Sequence, residues 1–181
     1  MDKYIREIIR RGGETEIVGQ YGAVHLTAAQ TVTISDGLHD GELVLMHAEG
    51  WRKYTRKETW RAQISYLCGV DDNGPWAVRV PGTVDTVYDA LRWLVPARIQ
   101  TARFERRKVL RQGDAYAVEL RVDHAAKTVP DNCRWDAETR TLYHQPRDGR
   151  VHAPLHVPFK CRFVMQRAYQ MGRSGRLGAA D

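Results

Sequence analysis

The chain has little of what most catalytic signatures require. Only three serines occur, Ser35, Ser65 and Ser174, and none stands in a GxSxG elbow. Neither GxxxxGKS/T nor GxGxxG is present, because Gly172, Gly175 and Gly178 have the wrong spacing and follow no strand pattern. HExxH is missing as well. These absences argue against a serine hydrolase, a P-loop nucleotide hydrolase and a zincin. Long apolar runs are also missing. The longest aliphatic stretch in the N-terminal half, Leu43-Val44-Leu45-Met46, is far below the roughly 20 residues of a bilayer-spanning helix. The opening MDKYIREIIRRGG mixes both charge signs and has no signal-like apolar stretch. A cytoplasmic protein, or one associated with a virion, is therefore expected, with no membrane partner. The three cysteines, Cys68, Cys133 and Cys161, cannot all pair within one chain, and reduced thiols are the expectation. Cys68 lies in an apolar strand pattern and reads as a small core residue.

What is present is a globular composition: 181 residues, 43% apolar and 28% charged. One domain through about residue 171 is expected, followed by a Gly/Arg-rich tail over 172–181 that reads as mobile. The net charge of +6 is lopsided. Residues 1–98 hold 12 Lys and Arg against 13 Asp and Glu, whereas residues 99–181 hold 16 against 9. All the excess is C-terminal, and a one-sided basic surface attracts polyanions, nucleic acid above all.

The pattern predicts an α+β fold, mainly antiparallel strands and hairpins with one packed amphipathic helix. Ala23–Leu26, Thr31–Ile34 and Glu42–Met46 read as short strands. Ile64–Val70 and Trp76–Val80 read as a hairpin, with Asn73-Gly74 supplying the positive φ of its turn rather than Asp71 and Asp72 forming a calcium loop. A helix is predicted over about 83–95. Thr83 is its expected N-cap, and Val84, Val87, Tyr88, Leu91 and Leu94 form an apolar stripe closed by Pro96. Beyond Gly113-Asp114, the alternation Tyr116, Val118, Leu120, Val122 predicts a half-buried strand. A second hairpin is predicted between Cys133–Trp135 and Arg140–Tyr143.

The residues Tyr66-Leu67-Cys68-Gly69-Val70-Asp71-Asp72, Val80-Pro81, Thr83-Val84 to Ala90-Leu91, Pro96 and Arg111-Gln112-Gly113-Asp114 carry a resemblance. Over about residues 64–122 the chain resembles a family of small proteins of bacteria, phages and mobile elements. It departs from that family at Ala115-Tyr116-Ala117, where bulkier aromatics are expected. The resemblance implies a phage or mobile-element context and carries over no activity and no catalytic residue.

Three functional readings follow from the residues. The first is a non-enzymatic accessory protein that binds nucleic acid through phosphate contacts. Arg98, Arg103, Arg106, Arg107, Lys108 and Arg111 face a single acid, Glu105, over Arg98–Arg111. Arg52 and Lys53, beside Trp51, Tyr54 and Trp60, add a second basic-aromatic stretch suited to phosphates and bases. No cofactor is implied. The second reading is a metal-dependent nuclease or hydrolase holding a divalent ion such as zinc. It uses His124, His144, His152 and His156, with Cys133 and Cys161 nearby, since imidazole and thiolate are natural zinc ligands. The order Asp123-His124, Asn132, His144 is similar to that of HNH nucleases, although His144 should then lie on a helix. Asp114 with Glu119 and Arg121 is a fainter nuclease-like grouping. The third reading is a structural or adaptor protein whose basic half meets an acidic protein.

Overall fold

Leu43-Val44-Leu45-Met46 is apolar at every position because both faces of its strand are covered. Leu43 and Leu45 pack with Leu67, Val80, Val87 and Leu91, while Val44 and Met46 pack with Tyr4, Ile8, Tyr66 and Cys68. Strand side chains alternate between faces, so a strand buried on both sides loses the polar half of its pattern. The computed structural model of the chain describes residues 2–13, 25–35, 40–53, 59–71, 74–121, 129–144, 152–169 and 177–178. Over these it is mainly antiparallel strand with few helices, an α+β fold with three sheets. No helix among the described residues is long and apolar enough to cross a membrane.

The described residues form two compact units, one within 2–94 and 168–178, the other within 95–167. The basic stretch beginning at Arg98 lies in the second.

The first unit contains α1 (Asp2–Ile8), β1 (His25–Ser35), β2 (Asp40–Lys53), β3 (Thr59–Asp71), β4 (Gly74–Val80), α2 (Val87–Leu94), β11 (Ala168–Tyr169) and β12 (Leu177–Gly178). Its sheet runs β1-β2-β3-β4-β11-β12. What the sequence divides into two strands before Asp40 is a single β1, irregular between Ala28 and Gln30; Ala23 and Val24 lie outside the described residues. The β3–β4 hairpin closes at Asp71 opposite Gly74, whose φ of 97° only glycine adopts without strain. Asp72 and Asn73 lie outside the described residues. Within the expected tail, Leu177-Gly178 pairs antiparallel with β11.

The helix starts later than predicted. Val84 N–H closes a turn onto Pro81 O, and the cap is Thr86, not Thr83. The Thr86 hydroxyl oxygen accepts the Asp89 N–H at 3.0 Å and donates to Asp89 Oδ2 at 2.6 Å. The Gln30 carboxamide oxygen takes the Val87 N–H. These contacts satisfy donors that a helix start leaves without partners. Val87, Ala90, Leu91 and Leu94 are buried, but Tyr88 is exposed, one residue past Val87 and turned about 100° off the stripe. On the opposite face of the sheet, burial would push the Glu7 carboxyl up. Arg10 and Arg11, bonded to it at 2.6–2.9 Å, instead hold it at about 2.

The second unit contains α3 (Ala97–Phe104), β5 (Val109–Gln112), β6 (Ala115–Glu119), β7 (Cys133–Asp136), β8 (Thr141–His144), β9 (Leu155–His156) and β10 (Cys161–Met165). Two sheets form, β10-β6-β5 and β7-β8-β9. The strand expected to be half-buried is covered on both sides. Tyr116 and Val118 pack against Ile99 and Ala102 of α3, and Ala117 packs against Val157 and Cys161 beside Trp135 and Phe163. Ala117 looks like a polar-side gap in the sequence, yet its small side chain sits in the cluster that carries those two rings, 5.3 Å apart. In the β7–β8 hairpin, Asp136 Oδ1 accepts the Glu138 and Thr139 N–H groups. Arg140, expected in the strand, is in the turn with a φ of 51°.

Candidate functional site

Pro96, with φ −56° and ψ 148°, cannot continue a helix backwards and so starts α3. Its carbonyl accepts the Ile99 and Gln100 N–H groups. The helix lays Ile99 and Ala102 on the β10-β6-β5 sheet. That leaves Arg98 and Arg103 exposed on its other sides. Phe104 comes two residues after Ala102, about 200° around the helix axis, and the residue is 90% exposed.

The helix ends in a motif that normally holds glycine. Arg106 N–H donates to Arg103 O and Arg107 N–H to Ala102 O, while Arg106 takes a φ of 56°. This is the paired closure in which the residue after the cap is left-handed and usually glycine. An arginine there is under local strain, and its side chain stays exposed. Arg106→Gly is therefore expected to raise stability by about 0.5 kcal/mol, because glycine tolerates positive φ. A shift of the urea midpoint at constant slope measures it.

Beside the helix lies a groove of about 300 Å3 lined in part by three arginines, Arg98, Arg107 and Arg162. Its remaining walls are mostly apolar, formed by Ala97, Val118, Leu120 and Val164. Arg107 is fixed in place, its Nε 2.9 Å from Glu105 Oε2 and its Nη1 donating to Glu119 O. Among the described residues, neither Arg98 nor Arg162 has a carboxylate partner. Lys108 is exposed, its backbone N–H held by Glu119 Oε2.

The other sequence candidates fall elsewhere. Arg111 works inward: its Nε donates to Gly113 O at 2.7 Å, its Nη2 to Gln166 Oε1 at 2.8 Å, and its guanidinium lies 5.6 Å from the Tyr116 ring centroid. It pins the β5–β6 turn. Arg52 and Lys53 end β2 in the first unit; their side chains, and Tyr54, lie outside the described residues.

Of the four histidines considered for metal, two meet. His144 and His152 stack with ring centroids 5.4 Å apart. His156 instead donates from Nδ1 to Thr139 O, and His124 lies outside the described residues. Among the described residues no group of three or more His, Cys, Asp or Glu converges as ligands for an ion. His144 stands on strand β8, not on the helix that the HNH-like order requires. Asp114 and Glu119 bracket β6, separated by about 16 Å of extended chain. Glu119 serves Lys108 and Arg121 donates to Glu105 O, so this grouping does not assemble.

His144 nonetheless sits in an ordered line. Its Nδ1 is 3.1 Å from Cys133 Sγ and its Nε2 is 2.6 Å from Asp114 Oδ1. Burial pushes the ring toward the neutral form, but Asp114 and Cys133, through hydrogen bonds and charge, raise its pKa to about 9.

Reasoning from sequence missed Phe104, Leu120 and Arg162. The signal for Phe104 was available: an aromatic inside a basic run, off the helical period that buries Ile99 and Ala102. Arg162 joins the groove only because β10 pairs with β6, opposite Val118.

No protein-family model, curated protein or solved structure matches the chain.

Proposed function

We propose that the chain is a nucleic-acid-binding protein whose second unit holds single strands through phosphate contacts and one stacking ring. The observation that carries this reading is Phe104, an almost fully exposed aromatic flanked by the exposed cations Arg103, Arg106 and Lys108. Guanidinium and ammonium groups take phosphates of any sequence, and an exposed ring takes the π-face of any base. The Arg98–Arg107–Arg162 groove extends the cationic track, with Arg107 held in position and the other two available to an anion. A phage or mobile-element setting fits a small, sequence-tolerant binder, and binding of this kind needs no cofactor.

The test is binding to labelled single- and double-stranded DNA and RNA over a salt series. Each phosphate contact on a single strand contributes about 0.7 to the slope of log affinity against log salt. Replacing Arg103, Arg106 and Lys108 by alanine together is expected to lower that slope by roughly 2 units. Phe104→Ala is expected to weaken single-strand binding by about 1–3 kcal/mol while leaving the slope unchanged. Absence of binding at low salt overturns the reading and leaves an acidic protein as the partner of the basic half.

A further inference from the structure

The three cysteines differ sharply in their surroundings. Cys68 is fully buried against Met46 Sδ, and burial pushes its thiol up to about 12. Cys161 is buried beneath Trp135 and Phe163, and burial takes its thiol to about 11. Cys133 is half-buried at the start of β7, with His144 at its sulfur. A thiol, an imidazole in contact with it and a carboxylate oxygen 2.6 Å from the far ring nitrogen are the parts of an activated nucleophile. The sequence separates them by 19 and 11 positions, and the fold lines them up.

The surroundings brace that line. Asp114 sits in the β5–β6 turn, where Gly113 has a φ of 56°. A Cβ at Gly113 would lie 2.7 Å from His152 Nε2 and 3.1 Å from His144 Cδ2, so only glycine lets the imidazoles pack against the turn. Arg111 ties the turn through Gly113 O, and Gln112 Nε2 donates to Ala153 O beside His152. The His144 side chain is wholly buried, whereas that of Asp114 is 46% exposed, so one end of the line opens to solvent.

We infer that Cys133, His144 and Asp114 form a reactive-thiol site whose substrate is a hydroperoxide. Acyl transfer fits less well. It needs amide donors aimed at a developing oxyanion, and the N–H of Cys133, the usual donor beside a nucleophile, is given to Pro130 O at 2.8 Å. Peroxide cleavage needs no such pocket, only a thiolate and a proton for the departing oxygen. The Cys133 thiolate attacks the terminal oxygen of ROOH; the S–O bond forms as the O–O bond breaks. The leaving alkoxide takes the Nδ1 proton of His144 and departs as ROH, leaving Cys133 as the sulfenic acid. Sulfur is oxidised by two electrons and the peroxide is reduced by two. A low-molecular-weight thiol then condenses with the sulfenic acid, giving a mixed disulfide and water. Asp114 is a positioning residue that keeps the His144 ring oriented.

The test treats the native protein with hydrogen peroxide and dimedone, which traps sulfenic acid, and maps the label by mass spectrometry. Cys133 is expected to label at least about tenfold faster than Cys68 or Cys161, and about tenfold faster than Cys133 in the urea-unfolded chain. Asp114→Asn, at a half-exposed turn position, is expected to slow labelling of Cys133 about tenfold, with the folded state checked by circular dichroism. Equal rates at the three cysteines, or at Cys133 before and after unfolding, overturn the inference. Rapid alkylation of Cys133 by iodoacetamide without rapid oxidation overturns the peroxide assignment.

Discussion

Leu45→Ala is expected to destabilise the first unit by about 3 kcal/mol, within the 2–5 kcal/mol typical of a buried leucine truncated to alanine. Leu45 has no solvent exposure and lies in the middle of β2, between β1 and β3. Its side chain meets Leu67, Val80 and Val87. The neighbouring Val44 and Met46 face the opposite core, so the backbone is pinned from both sides and cannot sink to fill a hole. The cavity term should therefore add nearly in full to the lost transfer energy. Leu45→Met keeps the volume and is expected to cost under about 1.5 kcal/mol. Urea unfolding followed by tryptophan fluorescence reads both; a loss below about 1 kcal/mol for the alanine variant would show that the two faces relax independently.

Stability should also fall as pH rises across the neutral range, through His144. Its folded value of about 9 stands above an ordinary value of 6.5. The native state therefore holds a proton that the unfolded chain releases. That contribution is fully present below about pH 6.5, shrinks above it and is gone once pH passes 9. Linkage sets a ceiling of about 3 kcal/mol, and water around the half-exposed Asp114 reduces it to roughly 2 kcal/mol. The groups facing the ring are Asp114, Cys133 and the stacked His152. Cys68 and Cys161 also favour the native state at lower pH, but their unfolded thiols ionise only near 9, so measurements between pH 6 and 8.5 separate them. Urea midpoints should drop over that interval in the native sequence and drop less in Asp114→Asn, where only the Cys133 contribution remains. Parallel profiles for the two proteins would remove the Asp114 contact as the cause.

The sequence made the α+β class, both hairpins and the C-terminal concentration of positive charge legible, because alternation, turn residues and charge are local properties. It misplaced the helix start, since Thr83 and Thr86 are equally good caps in isolation. The choice between them rests on Pro81 O taking the Val84 N–H and on Gln30 reaching Val87 from 57 positions away. Alternation also misread β6, where Ala117 passed for a solvent side and instead packs beside Trp135 and Phe163. The candidate site divides in the same way. The run Arg98–Lys108 is visible as a string of cations, but which of them stay exposed depends on the helix phase. The line Asp114–His144–Cys133 has no spacing to announce it, because Cys133 and His144 meet as cross-strand partners of the β7–β8 hairpin while Asp114 comes from the β5–β6 turn of another sheet.

The return of Ala168–Tyr169 to the first unit has a consequence for how the chain comes off the ribosome. β4 pairs with β3 as soon as the hairpin is made, yet its other edge meets β11 only through Tyr169 opposite Arg79. All of Val95–Arg167 is synthesised in between. For that interval this edge of β4 lacks even its one strand pair, the feature that nascent sheets most readily misuse by pairing with a stranger. The first unit begins to fold first and is completed last.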